Sequence, residues 1–95
     1  MIDLYETFEK HGDEYRKFER VEGKLHPRPD ICAFLLIDSL LPGSRNIVCA
    51  AEHDEIYLDA DCDMLAEVAT EEDILTLVRC GVRYSGEYES LAMFA

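Results

Sequence analysis

The hydrophobic positions of this chain change period along its length. In residues 3–22, Leu4, Tyr5, Phe8, Tyr15 and Phe18 share one sector at about 100° per residue, opposite Glu6, Glu9, Lys10, Asp13 and Lys17. That spacing predicts one amphipathic helix, with a kink allowed at Gly12; Gly12-Asp13 could equally end one helix and cap another. Val21 to Pro29 holds Gly23 and two prolines, which predicts an extended linker because proline restricts the residue before it. Asp30 then stands as a cap ahead of the apolar run Ile31 to Leu41, stopped by Pro42-Gly43, and this length favours a buried helix over a strand. Asp38 within it reads as an exposed residue.

From Asn46 the pattern turns toward a period of two. Ile47, Cys49 and Ala51, the polar tetrad Glu52-His53-Asp54-Glu55, then Ile56, Leu58 and Ala60 predict a hairpin with Ile56 and Leu58 facing inward. Ala50 and Ala51 would also suit a helix starting at Ser44. Asp61 can cap a short helix that presents Met64, Leu65 and Val68 to the core. Thr70-Glu71-Glu72-Asp73 has the form of a capping box, with three carboxylates at the positive end of the helix dipole and Ala69 and Ile74 as a staple. Ile74, Leu75, Leu77 and Val78 supply that helix's buried face, Arg79 suits its end, and Gly81 can take the left-handed cap. Val82 to Tyr84 and Glu89 to Phe94 read as strands around a Ser85-Gly86-Glu87 turn. The result is one α+β domain over residues 1–95, in the order α-α-β-β-α-α-β-β, with an antiparallel sheet packed against helices.

Composition sharpens this picture through charge. The net charge is −12. It is concentrated in the second half: ten acids lie between Asn46 and Val78 without one Lys or Arg. Such a field repels phosphate backbones and anionic lipid, so direct nucleic-acid or membrane binding is disfavoured and a basic protein surface is the natural partner. No apolar run approaches the roughly 20 residues of a membrane helix. The first residues lack the basic and hydrophobic regions of a signal peptide. Cys32, Cys49, Cys62 and Cys80 form no CxxC pair and read chiefly as small buried hydrophobes. A reducing cytoplasm is the expected location.

Candidate chemistry is sparse. Asp59, Asp61 and Asp63 open like a calcium loop, but the sixth and twelfth positions are Met64 and Thr70 where glycine and glutamate are required. His53 among Glu52, Asp54 and Glu55 could serve a metal site or a small hydrolase, yet a polar turn needs the same residues and no second His lies within local ligand spacing. Asp61 and Asp63 flank Cys62 and suppress its thiolate. His11 fits a helix-end hydrogen bond and His26 a loop, while Tyr84 and Tyr88 fit strand packing. No cofactor and no metal is expected.

The phrases His53-Asp54-Glu55-Ile56-Tyr57-Leu58-Asp59, Glu71-Glu72-Asp73-Ile74-Leu75 and Arg79-Cys80-Gly81-Val82 resemble those of short proteins encoded by bacteriophages and prophages, over the second half only. The resemblance implies a cytoplasmic accessory role in a bacterial host, where small acidic proteins bind and block host enzymes. The leading expectation is a non-enzymatic binding protein that engages a basic partner, as a nucleic-acid mimic or inhibitor. Its site residues are Asp59, Asp63 and Glu67, the three acids without a local structural reason, together with Glu52, Asp54 and Glu55. The alternative is a self-associating module, a homo-oligomer built on the apolar C-terminal strand through Leu91, Met93 and Phe94. Enzyme or metal chemistry at Glu52 to Asp63 ranks last.

Overall fold

The computed structural model describes residues 2–42, 48–52, 54–58, 61–85 and 90–94. Helices α1 (Leu4–Lys10) and α2 (Pro29–Leu40) precede strands β1 (Val48–Glu52) and β2 (Glu55–Leu58). Helices α3 (Cys62–Val68) and α4 (Glu71–Arg79) then precede β3 (Arg83–Ser85) and β4 (Ser90–Phe94). The expected order of elements is therefore the observed one, and the domain is α+β.

The predicted helix over residues 3–22 is corrected. Asp3 caps α1, its Oδ1 accepting from the Glu6 amide at 3.0 Å, and Leu4 and Phe8 are buried one turn apart. Beyond Lys10 the chain continues as two short 3-10 turns, Gly12–Glu14 and Phe18–Arg20, with Arg16 between them at φ 63°. A continuous helix would have kept Tyr15 and Phe18 in phase with Phe8. The chain turns instead, and the Arg16 amide donates to the Val78 carbonyl at 3.0 Å while Glu14 meets Arg79. Long-range bonds have replaced the helical ladder at a glycine, where that ladder is weakest.

Residues 21–28 form no helix or strand. Asp30 is not the cap of α2: Arg28 holds that position, without a side-chain cap bond, and Pro29 opens the helix. Proline suits this first position because its missing N–H has no intrahelical role there. Asp30 falls in the first turn, favourable to the dipole. Cys32, Ala33 and Ile37 are buried, and Asp38 is exposed as expected.

The four strands pair antiparallel in the order β1-β2-β4-β3. Glu52 opposes Glu55 across the hairpin, and Asp54 takes φ 65° in its turn. Leu91 sits between Leu58 and Tyr84, and Met93 opposite Ile56. Alternation puts Ile56, Leu58, Leu91 and Met93 on one face, and Leu58, Leu91 and Met93 are buried there. The last strand thus lies inside the sheet, which ties down the apolar end of the chain.

Helix α4 supplies Ile74, Leu77 and Val78 to the same core. Its capping box is complete: the Asp73 amide donates to Thr70 Oγ1 at 3.2 Å and the Thr70 amide to Asp73 Oδ2 at 2.9 Å. At its other end Gly81 takes φ 96°, its amide donates to the Val78 carbonyl, and Val82 donates back to Leu77. This pair of bonds is a Schellman closure.

Helix α3 corrects a further expectation. Asp61 caps it, accepting from the Asp63 and Met64 amides at 3.0 and 3.1 Å. The face turned inward, however, is Leu65 and Ala66, followed by Ala69, while Met64 and Val68 are 54% and 49% exposed. Seven residues with apolar side chains on several sides leave the phase open, and the backbone bond from the Ile2 amide to the Ala66 carbonyl helps to set it. Leu65→Ala should accordingly cost about 2–5 kcal/mol, and Met64→Ala less than about 0.5 kcal/mol, in urea denaturation. Equal costs would contradict this orientation.

Candidate functional site

The acids singled out in the sequence separate into bound and unbound sets. Glu55 is bound: it pairs with Arg83 across β4 and accepts from the Tyr57 hydroxyl at 3.1 Å. The Arg83 guanidinium also lies over the Phe94 ring, 4.9 Å from its centroid. Glu71 pairs with Lys10 at 2.6 Å, and its Oε1 lies 2.9 Å from His11 Nε2. Lys10 first and His11 second hold the Glu71 carboxyl below the usual glutamate range. Asp61 and Asp73 are caps. Asp54 is exposed. Asp59, His53 and the side chain of Glu52 lie outside the described residues, so the expected grouping of Asp59 with Asp63 and Glu67 does too.

Among the described residues Glu72, in the first turn of α4, is exposed without a basic partner, and so are Asp63 and Glu67. The last two are exposed on α3, one turn apart, and among the described residues neither has a Lys or Arg partner. Beside them on the same exposed surface stand Met64 and Val68, also one turn apart. Two uncompensated carboxylates therefore run parallel to two solvent-facing apolar side chains. Like charges at this spacing oppose each other by about 0.2–0.5 kcal/mol in a helix, a cost that a cation from outside would relieve. The sequence had located the carboxylates but placed Met64 and Val68 inside; the phase fixed by Leu65, Ala66 and Ala69 is the signal that separates the two.

Three of the described bases gather on one carboxylate of another segment. Arg79 donates to Glu14 Oε1 through Nε and Nη2, at 3.2 and 2.7 Å, and to the Arg20 carbonyl through Nη1. Arg20 meets Glu14 Oε2 at 2.6 Å, and Lys17 lies 3.8 Å from the same oxygen. Glu14 is largely shielded, with 14% of its side chain exposed. The hydrogen bonds from Arg79 hold its carboxyl below the usual range; desolvation pushes the other way and is outweighed, with Arg20 and Lys17 adding to the downward effect.

The Cys80 thiol is poorly suited to act as a nucleophile. Burial, with Cys32 beside it, pushes the Cys80 thiol up to about 12, so it remains protonated. Among the described residues no group of three or more His, Cys, Asp or Glu is arranged to hold a metal ion, and no helix is long and apolar enough to cross a membrane. Tyr84 packs its ring against Tyr5 and Phe8, at 6.0 and 6.4 Å between centroids. Tyr88 lies outside the described residues. Leu91 and Met93 are buried in the core, which leaves Phe94 as the exposed member of the apolar C-terminal trio.

No protein-family model matches the chain, nor does any curated protein or solved structure. The class that its own geometry defines is a small α+β domain with an unpaired acidic and apolar helix face.

Because the Glu14 carboxyl is held below the ordinary value near 4.5, the stability it confers is complete above that value and is lost as pH falls through the lower folded value. Glu14→Gln should therefore lower stability at pH 7 and flatten part of the acid limb of a stability-against-pH curve measured by urea denaturation. The Glu71 contribution would remain. An acid limb identical to wild type would show that Glu14 carries no such linkage.

Proposed function

We propose that the protein is a small non-enzymatic binding protein that docks the α3 face on a basic protein surface, in the manner of the bacteriophage accessory proteins its second half resembles. The observation that carries this reading is the pairing on α3 of unpartnered Asp63 and Glu67 with exposed Met64 and Val68. Carboxylates steer and orient a basic partner, and apolar side chains beside them supply the area that desolvation rewards. A partner of this kind presents Lys or Arg beside an apolar patch. The same charge that attracts it repels nucleic acid, so imitation of a phosphate backbone is compatible with the reading and direct nucleic-acid binding is not.

Affinity capture from a bacterial host lysate tests this when wild type is compared with two double variants. Proteins retained at low salt should be basic and should elute as salt rises. Asp63→Ala with Glu67→Ala should weaken retention about tenfold, near 1.4 kcal/mol, with an unchanged circular dichroism spectrum. Glu6→Ala with Glu9→Ala, on exposed positions of α1, should leave retention intact. Equal losses in both double variants would reduce the effect to net charge, and salt-insensitive retention would remove the electrostatic basis altogether.

A further inference from the structure

Three of the nine Lys and Arg residues of this acidic chain converge on one hollow that the sequence does not announce. Arg16 from the turn after α1, Arg28 ahead of α2 and Arg79 at the end of α4 line a pocket of about 440 Å³, together with Asp30. Phe18 and Phe94 are further lining residues, and each ring is faced by another cation: Lys24 stands 5.2 Å from the Phe18 centroid and Arg83 4.9 Å from that of Phe94.

The three guanidiniums differ in what they are free to do. Arg79 is held by Glu14 and the Arg20 carbonyl and acts as a fixed charge. Arg28 reaches Asp30 only at 3.4 Å and is 67% exposed, a pair that contributes little to folding. The Arg16 side chain has no hydrogen bond or ion pair among the described residues, and its Cγ lies over Gly81. Its backbone is in the left-handed region, where an L-residue is uncommon. The charged groups lining the pocket are therefore three arginines and Asp30, with Glu14 offsetting Arg79 from outside the lining, which leaves a locally positive hollow in a chain of net −12.

We propose that this pocket binds a small phosphate monoester, its phosphate held by Arg16 and Arg28 with Arg79 behind them, and its apolar body resting on Phe18 and Phe94. Guanidinium forks match phosphate oxygens in geometry, and Arg16 and Arg28, neither held in a short ion pair among the described residues, can engage a phosphate dianion from two sides. A monocarboxylate offers two oxygens, enough for one such fork and not for two. A long polyanion meets the surrounding negative field, which restricts the ligand to something small enough to lie within the hollow.

Titration of the full chain with phenyl phosphate, benzoate and inorganic phosphate, followed by calorimetry at low salt, tests the proposal. Phenyl phosphate should bind saturably and about tenfold more tightly than either of the others. Arg16→Gln combined with Arg28→Gln should weaken it by at least about tenfold, with the circular dichroism spectrum unchanged. Should that double variant unfold, Arg28→Gln alone, which gives up only an exposed pair, must still weaken phenyl phosphate. Absence of saturable binding at millimolar ligand, equal binding of benzoate, equal binding of inorganic phosphate, or variants that bind as wild type would each overturn the assignment.

Discussion

The bond between Glu14 and Arg79 decides the shape of the first third of the chain. Arg79 ends α4 at the point where the Schellman closure turns the backbone toward β3, and its guanidinium is aimed across that turn. To bring a carboxylate there, the segment after α1 has to leave the helix, reverse through two short turns and pass Arg16 through a left-handed conformation. Glu14 also collects Arg20 and, more distantly, Lys17, so one shielded carboxylate organises three cations. A partly buried pair of this kind is costly to break from one side only, because the remaining charge is left desolvated. Its worth lies in specifying where the segment docks as much as in net stability.

The same bond explains what could and could not be read in advance. Thr70 to Asp73 and Gly81 were legible because their partners lie within a few residues: a capping box and a left-handed cap are closed by the segment that encodes them. The hairpin around Glu52 to Glu55 was legible for a similar reason. The helix expected over residues 3–22 failed where the deciding partners, Arg79 and the Val78 carbonyl, lie more than sixty residues away. Helix α3, its Asp61 cap and the inward Leu65 were legible, but Met64 and Val68 were placed on the wrong side. Met64, Leu65, Ala66 and Val68, with Ala69 at the cap just beyond, offer several apolar faces over a short helix, and the neighbours it packs against select among them.

Charge follows a comparable division. A net of −12 suggests a uniformly acidic body, but the fold assigns charges individually. Glu14, Asp30, Glu55 and Glu71 take up most of the described bases, and these pairs draw on both halves of the chain. What remains is mostly acidic and spread over the surface; among the described residues Asp63 and Glu67 lie without cations on α3, and Arg16 without an anion beside Gly81. The acids at issue were visible in the sequence because they are neighbours on one helix. The arginines were not, because Arg16, Arg28 and Arg79 come from three separate elements and no local spacing relates them.

Among the described Lys and Arg residues, Arg16 is the one whose side chain has no hydrogen bond or ion pair. Its amide bond to Val78 needs only a backbone N–H, and a left-handed φ is most cheaply supplied by glycine, as at Gly23 and Gly81. Holding an L-residue there costs on the order of 1 kcal/mol. The side chain recovers none of this through an ion pair among the described residues. Its methylene stem occupies the space beside Gly81, where a Cβ on that residue would meet Arg16 Cγ at 3.5 Å. An arginine retained at a position where glycine would relax the backbone is therefore best explained by what its guanidinium does beside Arg28 and Arg79. The fold has placed this cation on the same hollow as two others; Glu14 and Asp30 offset Arg79 and Arg28, and Arg16 is left as the charge that an anion entering from outside would meet.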